Sequence, residues 1–332
     1  LERVNFKELK ELNLSNDNIS YIKVLEKLNF EKLEKLDLSW NKELSDINIL
    51  ENVNFKKLIE LNLSNTNISN IKVLEKVKFE KLEKLDFSCN DELSDIDILE
   101  KVNFKELKEL NLSNTNISDI KALEKVKFEK LEILDLHYNK ELSDINILEK
   151  VNFKKLKELN LSYNNISDIK VLEKVKFEKL EKLDLSWNEN LSDINILEKV
   201  NFKELKELNL SNINISDIKV LEKVKFDKLE KLDLSLNKLS DINILEKVNF
   251  KKLKELNLSY ASISDIKVLE KVQFEKLEKL DLSWNERLSD INILEKVNFK
   301  ELKELNISNT NISDTKPLEK IKLEKLEKLD LI

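Results

Sequence analysis

Leu107–Lys130 reads LKELNLSNTNISDIKALEKVKFEK, and Leu205–Lys228 reads LKELNLSNINISDIKVLEKVKFDK. The same text returns every 49 residues, so the chain is an array and not a pair of ordinary domains. Each 49-residue block divides into two related turns of 24 and 25 residues, which begin at Leu9 and continue to Leu326; the turn from Leu229 is one residue short. A turn of this length cannot bury its own apolar face, and stacking on its neighbours makes the core continuous.

Within a turn, numbered from its first Leu, the apolar residues at positions four and six alternate with polar ones at three, five and seven, which is the period of a strand. Ser-Asp then precedes an Ile-Lys-Val-Leu-type segment, as in Ser118–Val126. That pattern predicts a capped helix of about two turns with Ile, Leu and Val on one face. Phe closes each turn, from Phe6 to Phe299, and 13 of the 14 Phe fall in this column; Phe87 instead replaces a strand Leu. The Phe column reads as a core spine.

The stretch Leu33-x-x-Leu36-x-Leu38-x-x-Asn41 resembles the leucine-rich-repeat signature, and its continuation I-S-D-I-x-x-L most resembles the internalin-type short-helix class. The resemblance covers the whole chain. It implies an α/β leucine-rich-repeat solenoid, with a curved parallel sheet on the concave face, short helices on the convex face, and protein binding as its role. It also implies that the Asn at position nine is buried and bonds the backbone of neighbouring turns. The 25-residue turns always carry that residue (Asn41, Asn90, Asn139, Asn188 and Asn285, with Asn237 in the shortened turn). The 24-residue turns carry Asp17, Thr66, Thr115, Asn164, Ile213, Ala261 and Thr310, so the ladder is expected to be dependable only on alternate turns. Residues 1–332 read as a single solenoid of about fourteen turns. Leu1 starts inside a turn and Leu331-Ile332 ends mid-strand, so both ends are expected to be uncapped, as in a segment of a longer chain or one that stacks end to end.

Composition narrows the function. There is no Gly and no Met, and one each of Pro, Cys and His. A chain without glycine has no glycine-rich phosphate loop and no glycine-flanked serine elbow. One His and one Cys do not make a zinc site. Left-handed turn residues are expected to be Asn or Asp. Acids number 65 and bases 58, with no basic run for a nucleic-acid backbone and no apolar run long enough to span a membrane. His137, alone at a position otherwise held by Ser, reads as a solvent-facing substitution. No enzyme, cofactor or metal is expected.

In a parallel sheet, equivalent positions of successive turns lie about 4.8 Å apart, so columns can be read from the sequence. Position three runs Glu11, Lys35, Glu60, Lys84, Glu109, Ile133, Glu158, Lys182, and position two alternates in the opposite phase. The alternation cancels itself and penalises slipped register. Position five alternates Asn and Asp, with carboxylates two strands apart, too far to share a cation. Position eight gathers all three Trp and three of the four Tyr: Trp40, Tyr138, Tyr163, Trp187, Tyr260 and Trp284. Exposed aromatics on a rigid scaffold are what binding hot spots use; the competing reading is that they shield the Asn ladder. These six are the candidate partner-binding residues of a protein-interaction module. The alternative is a structural or self-assembling element. Asn-x-Ser recurs mid-strand at Asn13, Asn62, Asn111, Asn160, Asn209, Asn257 and Asn306, where glycans would cover the sheet, so a cytoplasmic or bacterial setting is expected.

Overall fold

A computed structural model describes residues 6–28, 30–321 and 323–331; the expected breaks at Leu1 and Ile332 lie outside them. The chain divides into two compact units, Leu1–Asn165 with Val175–Phe177, and Ile166–Lys174 with Glu178–Ile332. Among the described residues each holds seven strands of three residues. The N-terminal unit contains β1 (Glu11–Asn13), β2 (Lys35–Asp37), β3 (Glu60–Asn62), β4 (Lys84–Asp86), β5 (Glu109–Asn111), β6 (Ile133–Asp135) and β7 (Glu158–Asn160). The C-terminal unit contains β8 (Lys182–Asp184), β9 (Glu207–Asn209), β10 (Lys231–Asp233), β11 (Glu255–Asn257), β12 (Lys279–Asp281), β13 (Glu304–Asn306) and β14 (Lys328–Asp330).

Within each unit successive strands pair in parallel, and the register matches position to position: Glu60 lies beside Lys84, Leu61 beside Leu85, Asn62 beside Asp86, and Lys231 beside Glu255. The columns read from the sequence are therefore columns in space. Leu at positions one, four and six is buried throughout the middle of both units. So are Phe30 to Phe299 of the Phe column, and Phe87 packs into the core where it replaces Leu. In the N-terminal unit the rings run in series, Phe30 to Phe55 at 5.9 Å and Phe104 to Phe128 at 6.4 Å between centroids.

The segment after Ser-Asp is shorter than its sequence predicts. Among the described residues it forms 3₁₀ helices of four or five residues, about one turn each, such as Asn48–Asn52 and Lys121–Glu124. An α-helix is about 10 Å across with its side chains, roughly twice the strand spacing, so a tighter single turn stacks better beside every strand. The Asp stands one residue before the cap and acts by a shorter reach: its Oδ1 accepts the N–H two residues on, Asn48 to Asp46 at 2.8 Å and Lys121 to Asp119 at 2.8 Å. The cap position belongs to a buried Ile (Ile47, Ile120), whose side chain goes to the core.

Candidate functional site

The strand leaves the sheet through a bend whose parts the sequence lays out in order. Position five begins it: the Asp37 carboxylate accepts the Ser39 N–H at 2.9 Å, and the Asn62 amide oxygen accepts the Ser64 N–H at 3.0 Å. This local bond, which competes with strand extension, turns the chain. It accounts for the Asn/Asp alternation without a metal, since the amide also donates to the neighbouring carboxylate, Asn257 Nδ2 to Asp233 Oδ2 at 2.9 Å. Among the described residues no group of His, Cys, Asp and Glu could hold a metal ion. His137 copies its Ser counterparts, with Nδ1 at 2.9 Å from Asp135 Oδ1, where Ser235 and Ser283 place a hydroxyl at 2.6 Å from Asp233 and Asp281.

Position eight is the left-handed residue of the bend. All thirteen of its residues, from Asn16 to Asn309, have φ between 50° and 61°. Five are Asn, the residue type that tolerates this region best after Gly. At this position the expectation that Asn or Asp would fill the left-handed sites holds for those five and fails for the other eight. Trp40, Cys89, Tyr138, Tyr163, Trp187, Leu236, Tyr260 and Trp284 all occupy it. For a bulky L-residue this conformation costs about 1–2 kcal/mol. It is held by main-chain bonds to the next strand: the Trp40 N–H donates to Ser64 O at 2.9 Å, Tyr138 to Ser162 O at 2.9 Å, and Trp284 to Ser308 O at 2.9 Å. The backbone is pinned and the side chain is left over.

Position nine clamps the bend from inside. Asn41 is fully buried. Its Nδ2 donates to Leu14 O and Leu38 O, both at 2.8 Å, and its Oδ1 accepts the Ile19 N–H at 2.8 Å. Asn90 and Asn285 repeat this. The ladder does not lapse in the alternate turns. Thr66 and Thr115 donate to Asn90 and Asn139 Oδ1 at 2.6 Å, and Asn164 accepts the Asn139 N–H at 2.7 Å. Where the side chain is apolar, the backbone substitutes: the Ile213 and Ala261 N–H groups donate to Asn237 at 3.2 Å and Asn285 at 3.1 Å.

The six candidate residues all occupy this left-handed position. In the N-terminal unit Trp40 is 56% exposed, Tyr138 37% and Tyr163 38%. Tyr138 and Tyr163 are neighbours, with centroids 5.8 Å apart, and the Lys140 ammonium sits 4.6 Å from the Tyr138 ring centre. In the C-terminal unit Tyr260 (43%) and Trp284 (42%) stack at 4.8 Å with 10° between their planes, while Trp187 is half-buried. What the sequence reading missed is the left-handed backbone under the column. The signal was present: in a chain without Gly, five Asn recur at one position of the turn.

Beside the bend, the charge columns form ion pairs. At position two, Lys157 reaches Glu132 at 2.7 Å and Lys254 reaches Glu230 at 2.7 Å; at position three, Lys84 reaches Glu109 and Lys279 reaches Glu304, both at 2.8 Å. The lysine hydrogen bonds hold Glu132 and Glu230 below the ordinary carboxylate value, and the carboxylate bonds raise Lys84 and Lys279. All are partly solvated, so each contributes little to stability.

Leucine-rich-repeat family models match residues 105–150 and 154–199, and a second such model matches 31–47 and 275–291. Among solved structures the chain is similar in fold to an internalin, InlF, of Listeria monocytogenes, at 23% identity and a TM-score of 0.64, covering 98% of this chain and 88% of that one. It is equally similar to a leucine-rich-repeat protein of Leptospira interrogans, at 23% identity and a TM-score of 0.66, covering 98% and 96%. No curated protein matches the sequence significantly. Among the described residues no helix is long and apolar enough to cross a membrane.

Proposed function

Since the chain is a leucine-rich-repeat protein, of a kind that generally mediates protein–protein interaction, we propose that it binds a protein partner through the aromatic members of its bend column, Trp40, Tyr138 and Tyr163 in one unit and Trp187, Tyr260 and Trp284 in the other. The observation that carries this reading is the left-handed backbone beneath them. Asn fills the same place in five other turns at lower cost, so large rings there are held against local preference. Strain kept at a few positions points to a role outside folding.

The shielding alternative accounts for less. Asn90 is fully buried beneath Cys89, as Asn41 is beneath Trp40, so the ladder needs no ring to cover it. Exposed rings bury large area at small rotamer cost when a partner arrives. The reading is of a binding module and not a catalyst. A bacterial setting fits the two bacterial structures it resembles in fold.

The test is Trp40→Asn and Trp284→Asn. Both variants are expected to fold with unchanged or higher thermal midpoints and to lose at least about tenfold in affinity for the partner, the loss typical of a hot-spot residue. A clear fall in midpoint with unchanged affinity would make the column structural and place the binding surface elsewhere.

A further inference from the structure

One turn of the N-terminal unit departs from the array at three outward positions together. Ile133 stands where β2 and β4 carry Lys35 and Lys84, His137 stands where the other turns carry Ser, and Tyr138 occupies the bend beside Tyr163. Ile133 is half-buried on the outer face of β6 and places an apolar side chain in a column otherwise made of charges. Beside it a shallow groove of about 280 Å³ crosses the strand face from Glu60 to Asp135, with Ile133 among its lining residues. Losing one Lys upsets the balance there. Four carboxylates line the groove (Glu60, Asp86, Glu109 and Asp135) against one ammonium, Lys84, with a second, Lys35, paired to Glu60 at its edge.

We propose that this groove docks a basic, apolar segment of a protein partner, an extended stretch in which a Lys or Arg lies next to a Leu- or Val-like side chain. The occupant is chosen by complementarity. A cationic side chain meets the carboxylate excess, and the apolar neighbour covers Ile133, with the Tyr138 ring available at the end of the same strand. An acidic segment would face two net negative charges, four acids less Lys84 and the Lys35 paired to Glu60 at 3.3 Å, and a neutral polar one would leave Ile133 in contact with polar groups. An extended segment suits the site because the groove runs across parallel strands whose own hydrogen bonds are already paired. The proposal rests on the reading of this chain as a protein-binding module, and it names the chemistry of the partner.

The substitution that tests it is supplied by the array. Ile133→Lys restores the residue found at this place on β2 and β4, so the strand accepts it and the charge alternation is completed. The full chain, with ¹³C-labelled Ile methyl groups, is titrated with the hexapeptide Lys-Leu-Lys-Leu-Lys-Leu and with its counterpart Glu-Leu-Glu-Leu-Glu-Leu; the Ile133 methyl signal is assigned from Ile133→Val. The basic peptide is expected to move the Ile133 signal, to bind more weakly as salt rises, and to lose about fivefold or more in affinity to Ile133→Lys. Leu236→Lys, which adds the same charge in the C-terminal unit, is expected to keep wild-type affinity. Binding of the basic peptide to Ile133→Lys as tightly as to wild type overturns the proposal. So does an unmoved Ile133 signal, equal binding of the acidic peptide, or no binding at millimolar concentration. The peptide titration reads the groove and the partner affinity of Trp40→Asn reads the aromatic column, so failure here is separable from failure of the aromatic column as a binding surface.

Discussion

The Thr66 hydroxyl donates to Oδ1 of Asn90, one turn further along, at 2.6 Å, and this bond decides the shape of the bend that holds it. With the hydroxyl present, the next residue keeps its N–H for Leu44 O at 2.9 Å, and Asn65 is the one left-handed residue of the turn. Where position nine is Asp17, Ile213 or Ala261, its own N–H turns to the ladder Asn instead. The following residue, Asn18, Asn214 or Ser262, is then left-handed as well, with φ of 53°, 59° and 63°. One side-chain donor thus replaces one backbone donor, and the local fold follows.

Removing the two partners of that bond should have unequal effects. Thr66→Ala is expected to cost about 1 kcal/mol, because the Ala261 bend offers a ready substitute, and to carry Asn67 into the left-handed region. Asn90→Ala strands Ile68 N–H and Phe87 O at a fully buried site, leaving the Thr66 hydroxyl to donate to Leu63 O alone at 3.0 Å, and is expected to cost more than about 3 kcal/mol. Urea unfolding measures both, and the φ-sensitive coupling of Asn67 reads the bend. Equal costs would refute the substitution of backbone for side chain.

Backbone strain at position eight can be measured free of any aromatic contribution. Leu236 has φ of 58° and lies in the exposed column. Leu236→Asn puts there the residue found in five sister turns, and it is expected to raise stability by roughly 1 kcal/mol. A fall in the thermal midpoint would mean that the Leu side chain contributes packing greater than the strain.

The ion-pair columns set the pH response. Glu106, Glu132, Glu204, Glu230 and Glu278 are held below the ordinary value of 4.5, first by the hydrogen bond from a lysine on the neighbouring turn. A carboxylate depressed in the folded state stabilises it above the unfolded value, and the contribution is lost as pH falls through the lower folded value. Lys84, Lys108, Lys206, Lys254, Lys279 and Lys303 are raised above 10.5 by the same kind of bond, so their share is present below 10.5 and lost as pH rises beyond it. Thermal midpoints are therefore expected to be flat between about pH 5 and pH 10 and to fall on both sides. Since the pairs are solvated, salt of about 1 M should shrink both falls. A midpoint rising toward pH 3 would contradict this.

Much of this architecture is legible in the sequence because stacking converts linear position into spatial column. Once Leu33, Leu36 and Leu38 fix the register, Glu60 must lie between Lys35 and Lys84, and the Phe column has only the core to enter. The same logic reaches the charge alternation, the burial of Asn41 and the outward aromatics, which need nothing beyond period and polarity. Backbone conformation is where the sequence falls short. Ser-Asp-Ile suggested a two-turn capped helix, but the width of an α-helix against the strand spacing leaves room for about one 3₁₀ turn, with Asp46 reaching its N–H from outside the cap. The left-handed state of Trp40 and Trp284 is likewise a decision of the tertiary structure. No local preference puts a Trp there; the bond from its N–H to a carbonyl 24 residues on, Ser64 O or Ser308 O, and the cross-turn bonds of the Asn that follows it, Asn41 or Asn285, impose the conformation.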